Sequence, residues 1–229
     1  MMKDTIYLSS AYLAPVQYYT KLYACTKACV EQHDHYVKQT YRNRCNIATA
    51  DGVLALSIPT EKPGTLKCEM KDIRISDHGN WRHLHWNALC SAYRHSPFFD
   101  YYADDFRPFY EQRYTFLYDF NEALCALVCS LIDMQPHIVR TDEYRQTFGP
   151  DEADVRELIH PKHPCTDDPD FRPVPYYQVF SARHGFLPNL SIVDLLFNMG
   201  PESLLVLRDS IVTGTRTAAD KRTNKSTEP

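Results

Sequence analysis

Hydrophobic positions change their spacing part-way along the chain. In the first third they come in short runs. Thr5–Ser9 and Ala28–Glu31 are brief, largely apolar stretches, and Val53–Ile58 (VLALSI) is a third that Pro59 stops; each predicts a strand. Met70–Ile75 alternates as MKDIRI, with Met70 on one face and Ile73 and Ile75 on the other, and predicts a fourth. Between the first two runs, apolar or aromatic residues at 16, 18, 19, 22 and 23 give a helical face, and Pro15 is placed to open it.

Beyond residue 80 the spacing turns helical. Trp81–Tyr93 is amphipathic, Ser96-Pro97 marks a boundary, and Phe98–Tyr110 is dense in aromatics. Leu117, Phe120, Leu124, Leu127, Val128 and Leu131 form one stripe within Tyr114–Asp133. His137–Arg140 reads as a strand, and Asp151–Ile159 as a short helix with Asp151 as its N-cap. Five prolines between 161 and 175 make a stiff connection, and Tyr176–Phe180 is a candidate strand. Ser191–Met199 is an apolar helix closed by Gly200-Pro201, followed by a helical turn at Ser203–Leu207. Early alternation of strands and helices predicts a mixed α/β fold with N-terminal strands, a helical middle and a C-terminal helix pair. One domain is expected over 5–211, with a polar, disordered tail over 212–229.

Composition adds limits. The chain has 229 residues, 44% hydrophobic and 24% charged, so a sizeable core is within reach. Net charge is −4, which supplies no basic field for nucleic acid or an acidic membrane. No stretch approaches the ~20 apolar residues of a membrane helix, and the first residues lack the apolar core of a secretion signal. A cytoplasmic protein without membrane insertion is expected. The eight cysteines form no CxxC pair, and the reading is of reduced, mostly buried thiols. Sixteen tyrosines suit half-buried walls of a polar cleft, or a Tyr-rich surface.

Four polar clusters are candidate sites. His33–Asn46 (HDHYVKQTYRNRCN) carries Lys38, Arg42, Asn43 and Arg44 among tyrosines, groups suited to carboxylate or phosphate oxygens; the bland alternative is a solvated hairpin or edge strand. The stretch 77–97 holds four histidines, of which His85 falls on the apolar helix face, either as a general base or as a hydrogen-bonded core residue. His160, His163 and Cys165 invite a zinc reading, but no second ligand pair follows and no metal is expected. Tyr176–Asn198 brings Tyr177, Gln178, His184 and Asp194 together; Asp194 stands among apolar residues, so it needs a partner or a cleft. Glycine-rich nucleotide loops, the nucleophile elbow and the HExxH signature are all absent.

Six segments carry a resemblance: YLSSAYLAPVQYYTKL, HYVKQTYRNRCNI, HWNALCSAYRHSPFFDYY, LYDFN, ELIHPK and YYQVFSARHGFLPNLSIVDLLFNMGP. In that order, over most of residues 5–208, the chain resembles the WbqC-like protein family. Asn43 and Arg44 match the family's KRGWINRNRI-like form, whereas Asn46 stands where a second family Arg would be. The resemblance implies a place among bacterial surface-polysaccharide (O-antigen) proteins, for which aminoacyl (glycine) transfer to a sugar has been suggested. The opening strand, Pro15 loop and helix also resemble the phosphate-binding start of nucleotidyltransferase-like folds, but the His signature of those enzymes is missing from Ser9–Thr20.

Two functions follow as expectations. One is transfer of an acyl or aminoacyl group onto an amino sugar. His184 would be the base, held by Asp194, with His85 as second choice; Lys38, Arg42, Asn43, Arg44, Tyr177 and Gln178 would bind a phosphorylated or nucleotide-linked sugar. The other is a non-catalytic glycan- or nucleotide-binding protein using the same ligands. Cofactor and oligomeric state are left open by the sequence.

Overall fold

In a computed structural model, which describes residues 3–62, 64 and 67–212, the hydrophobic runs assemble a four-stranded parallel sheet with helices packed against it. β1 (Thr5–Ser9), α1 (Val16–Ala24) and β2 (Lys27–Glu31) open the chain. A hairpin of β3 (Arg44–Thr49) and β4 (Gly52–Ser57) follows, then α2 (Trp81–Tyr93), α3 (Phe99–Glu111) and α4 (Leu117–Leu131). Two short strands complete the sheet, β5 (Ile138–Arg140) and β6 (Glu152–Asp154). A helical turn α5 (Ser181–His184) and the pair α6 (Ile192–Met199) and α7 (Ser203–Asp209) end the described chain.

The sheet order is β5-β2-β1-β6, all parallel, with β1 paired to β2 from Thr5↔Lys27 to Ser9↔Glu31. The chain therefore runs outward from β1 to β2 and β5, then returns to the other side of β1 for β6. Strand order reverses between β1 and β6, the place where open parallel sheets hold ligands beyond their carboxyl ends. The hairpin β3–β4 is a separate antiparallel unit.

Fold class, the first strands, the helical middle and the C-terminal helices stand as the sequence predicts. Three elements differ. Met70–Ile75 is no strand: Met70–Asp72 closes a 3-10 turn that buries Met70 and Ile73 together, and only single bridges at Arg74 and Ile75 follow. Asp151–Ile159 is no helix, since its centre is β6 and Val155 N–H extends the β1 ladder by donating to Tyr7 O. Its acidic residues are ion-pair partners instead, Glu152 of Arg145 and Asp154 of Arg156. Tyr176–Phe180 forms no strand among the described residues. The expected tail lies outside the described residues except for Val212.

The C-terminal segment is latched onto the β1–α1 loop. Asn189 Oδ1 accepts from Gln17 N–H at 2.9 Å and caps α1, while Ser191 Oγ donates to Leu13 O at 2.7 Å. The proline-rich connection is pinned by Asp168, whose carboxylate is buried against Lys21 and Gln17 of α1. α6 ends at Gly200, where φ is 53° and a Cβ would sit 2.5 Å from the Phe98 ring. Replacing Gly200 with Ala should lower the unfolding free energy by roughly 2–4 kcal/mol, through overpacking and a left-handed backbone. Denaturant unfolding checks this, and an unchanged midpoint would contradict it.

Candidate functional site

Everything at the carboxyl ends of the strands is organised around one carboxylate. Glu31, the last residue of β2, is fully buried. Its Oε1 accepts from Thr141 Oγ1 at 2.7 Å, just past β5, and from His33 N–H at 2.8 Å. Its Oε2 accepts from Arg156 Nη1 at 2.8 Å, two residues past β6. Arg156 also grips Asp154 through Nε and Nη2 at 2.8 and 2.7 Å. A buried charge needs such partners, because burial without them is prohibitive.

In front of this pair lies a cavity of about 530 Å³. Four carboxylates line it (Asp34, Glu69, Asp154 and Glu157) against two guanidiniums, Arg42 and Arg156, with His33, His35 and Tyr144 on the same wall. Arg42 is spent on neighbours: Nε and Nη2 donate to Asp34 Oδ2, and Nη2 reaches Glu157 at 3.3 Å. Burial pushes the Asp34 carboxyl above its ordinary value, with Arg42 pulling the other way. Asp34 Oδ1 is buried without a hydrogen-bond partner. His33 Nδ1 lies 3.1 Å from Glu69 Oε2 and 3.2 Å from Lys71 Nζ, and Lys71 is itself 2.6 Å from that carboxylate. When Glu69 accepts from both, the His33 Nε2 lone pair is free.

The expected residues divide among three places. Lys38, Asn43 and Arg44 do meet, lining an open depression of about 320 Å³ that has two cations and no carboxylate. The Arg44 guanidinium donates to Ser57 Oγ at 2.9 Å. Val37 faces the charged cavity and Lys38 faces the depression, so the two sites adjoin across the 33–43 loop. Arg42 is not part of that group: it is a buried ion-pair residue on the acidic side of the loop.

The second place is the hairpin. Asp194 is fully buried and accepts from Tyr93 Oη at 2.9 Å, Tyr176 Oη at 2.7 Å and Gln178 Nε2 at 2.8 Å. Burial raises its pKa, partly offset by these donors. His184 is half-buried and its Nε2 meets Ala50 O at 3.0 Å, so the structure does not form the expected His184–Asp194 pair. Gln178 also clamps Leu187 through both N–H and C=O, and Tyr177 is exposed. The polar residues of 176–198 thus serve mainly to hold the C-terminal segment on the hairpin.

The third place is the core. His85 is buried under Trp81, stacked on Tyr12, with Nδ1 3.0 Å from Tyr12 Oη, which itself lies 2.9 Å from Tyr110 Oη. This is the hydrogen-bonded core histidine of the bland reading. His160 and His163 contact each other and nearby backbone, and no three metal-ligating side chains gather among the described residues. No helix of the described residues is long and apolar enough to cross a membrane.

Sequence reasoning missed His33, Asp34, Glu69 and Arg156. His33 and Asp34 head the polar segment already singled out, on the side of the loop opposite to Lys38 and Arg44. Glu69 and Arg156 carry no local signal, because they are 36 and 123 positions from His33; a backbone bridge between His35 and Glu69 brings the first near, and the sheet order the second.

Burial depresses the His85 pKa to about 4. A histidine whose folded pKa lies below its unfolded value of about 6.5 favours the native state above that pH. That contribution, roughly 3 kcal/mol, is lost as pH falls from about 6.5 to 4. Unfolding free energies across that range should fall less steeply for His85→Gln than for the unaltered chain; identical slopes would refute the assignment.

An uncharacterized protein of Mycobacterium tuberculosis, Rv1507c, is 25% identical over 229 residues, covering 90% of this chain and 98% of its own. No solved structure matches. The model of the WbqC-like protein family matches residues 10–159, from the β1–α1 loop through the charged cavity to the end of the segment after β6, and this chain belongs to that family.

Proposed function

We propose that the chain transfers an acyl or aminoacyl group onto the amine of a phosphate-bearing amino sugar, in the cytoplasmic assembly of a surface polysaccharide. The observation that carries this reading is the acidic cavity at the strand-order reversal, where four carboxylates stand against two guanidiniums. An ammonium is a compact triple donor and suits carboxylates that outnumber their cations. Phosphate oxygens do not suit that cavity, and the adjoining Lys38–Arg44 depression supplies the cations they need.

Acyl transfer then moves two protons. The bound ammonium first releases one to solvent, leaving a neutral amine, and that amine gives a second to His33 Nε2 as its lone pair attacks the acyl carbonyl. The new N–C bond forms, the donor's leaving group departs with its electron pair, and His33 returns the proton to it. Glu69 orients the imidazole and stabilises its charged form, as a carboxylate does for a catalytic histidine. Both histidine and carboxylate lie in the cavity wall.

Two measurements test this. Glucosamine 1-phosphate should raise the melting temperature more than glucose 1-phosphate does, and Lys38→Ala with Arg44→Ala should abolish the advantage of the phosphate over free glucosamine. With an acyl donor that supports turnover, His33→Ala should lower kcat by ~10²-fold or more while leaving acceptor affinity nearly unchanged. Equal stabilisation by the two sugar phosphates would overturn the amine site. Binding without turnover, for every acyl donor supplied, would favour the non-catalytic glycan-binding reading.

A further inference from the structure

The β3–β4 hairpin has two outer edges, and the chain covers only one of them. Ile58 N–H donates to Asn43 O, and the register runs from Arg44↔Ser57 to Thr49↔Gly52. Antiparallel ladder bonds recur at every second residue, so Gly52, Leu54 and Leu56 bond to β3 and the backbone groups of Val53, Ala55 and Ser57 point away from it. On the β3 side the outward groups are taken: Asn46 O accepts from Ser191 N–H at 2.8 Å, and Ala48 N–H donates to Tyr93 Oη at 3.2 Å. On the β4 side the His85 ring engages the Ser57 carbonyl. The N–H and C=O groups of Val53 and Ala55 meet no partner among the described residues.

An open strand edge is a template for another strand, and proteins that stay monomeric blunt such edges with lysine, proline or a bulge. Gly52–Ser57 has none of these: it carries no charge and no proline, and its register is unbroken. Val53 and Leu54 are 54% and 41% exposed, and Ala55 is exposed between them and the buried Leu56. Leu84, next to His85 in α2, adds a side chain that is 59% exposed at the Ser57 end. The two ends of the edge differ in charge. Asp51 at the hairpin tip is 94% exposed, with Arg183 at 3.8 Å. At the other end Arg44 sits on Ser57 Oγ, and Lys38 lines the same depression.

We propose that the open edge of β4 is covered by β4 of a second copy of this chain, paired antiparallel about a two-fold axis. The sheet would then run β3-β4-β4-β3 across the dimer. Such an interface uses one patch twice, so the patch must complement itself. This edge does: antiparallel pairing brings each Asp51 to the Arg44 end of the other copy and packs apolar residues between, whereas parallel pairing sets like charges together. Backbone pairing supplies the affinity, and the end charges set the direction. Arg44 also lines the depression assigned to phosphate, so dimer and sugar phosphate draw on one guanidinium and their equilibria are linked. The dimer does not depend on the transferase reading, and it is measured without sugar phosphate.

Sedimentation velocity of the full chain over a concentration series is the test. A dimer with Kd below about 100 µM is expected. Val53→Lys puts a charge on the edge and leaves the core alone; Ala55→Pro removes an outward N–H and spares the bonds to β3. Each should raise Kd at least tenfold, and Val53→Lys, an exposed change, carries the result if Ala55→Pro does not fold. Asp51→Lys and Arg44→Glu should each weaken self-association by about fivefold or more. A 1:1 mixture of those two variants should recover it, since both ends of the mixed pair are then complementary. A chain that stays monomeric, a dimer indifferent to Val53→Lys, or a mixture that associates no better than either charge variant alone would each overturn the proposal.

Discussion

The Glu31–Arg156 ion pair is the constraint from which the rest of the site follows. Both groups are out of water, and one carboxylate gathers the chain just beyond β2, β5 and β6 around the end of β1. Removing one partner of such a pair typically costs about 3–5 kcal/mol, because the other is left charged and buried. A well-packed apolar substitute would hold the fold as well or better. Charge kept at this position therefore makes sense as positioning: it fixes His33 through its backbone, fixes Asp154 through Arg156, and holds the acidic cavity open between them.

That cavity explains why an arginine-rich segment is a poor guide to an anion site. Arg42 and Arg44 are two residues apart, yet one lies buried on Asp34 and the other half-buried on a shelf beside Ser57. Residues 33, 34, 35, 37 and 42 line the acidic cavity and 36, 38, 39, 43 and 44 the depression, so a cation's ligand is decided by which side it faces. On one side carboxylates exceed cations and a donor ligand is favoured. On the other, Lys38 and Arg44 stand without a carboxylate among the lining residues. A zwitterionic ligand, amine at one end and phosphate at the other, matches that division of charge.

Much of the fold was legible. Thr5–Ser9 is a strand as its apolar run predicts, and the stripe of Tyr114–Asp133 is α4. The errors came where tertiary partners overrode local pattern. The acids of 151–159 resemble a helix first turn, but their arginines make them strand-end ion pairs. Met70 and Ile73 look like alternating strand residues, but three-residue spacing buries both on one side of a tight turn. The site was legible only by segment. Asp194 advertised itself as a buried acid, and its three donors are neutral groups, Tyr93 of α2 with Tyr176 and Gln178 of the segment before α5, rather than a histidine. His33, which has the better geometry for a base, could not be separated from its neighbours without knowing that Glu69 stands beside it.

The central claim is that ligand chemistry takes place at the carboxyl ends of β1 and β6, and away from the hairpin where His184 and Asp194 lie. Hydrogen exchange of the full chain with and without glucosamine 1-phosphate reads this directly. Slowed exchange in peptides spanning 31–44 and 144–157, with 176–187 unchanged, is the predicted result. Protection confined to 48–52 and 176–187 would contradict the account and return the site to the hairpin.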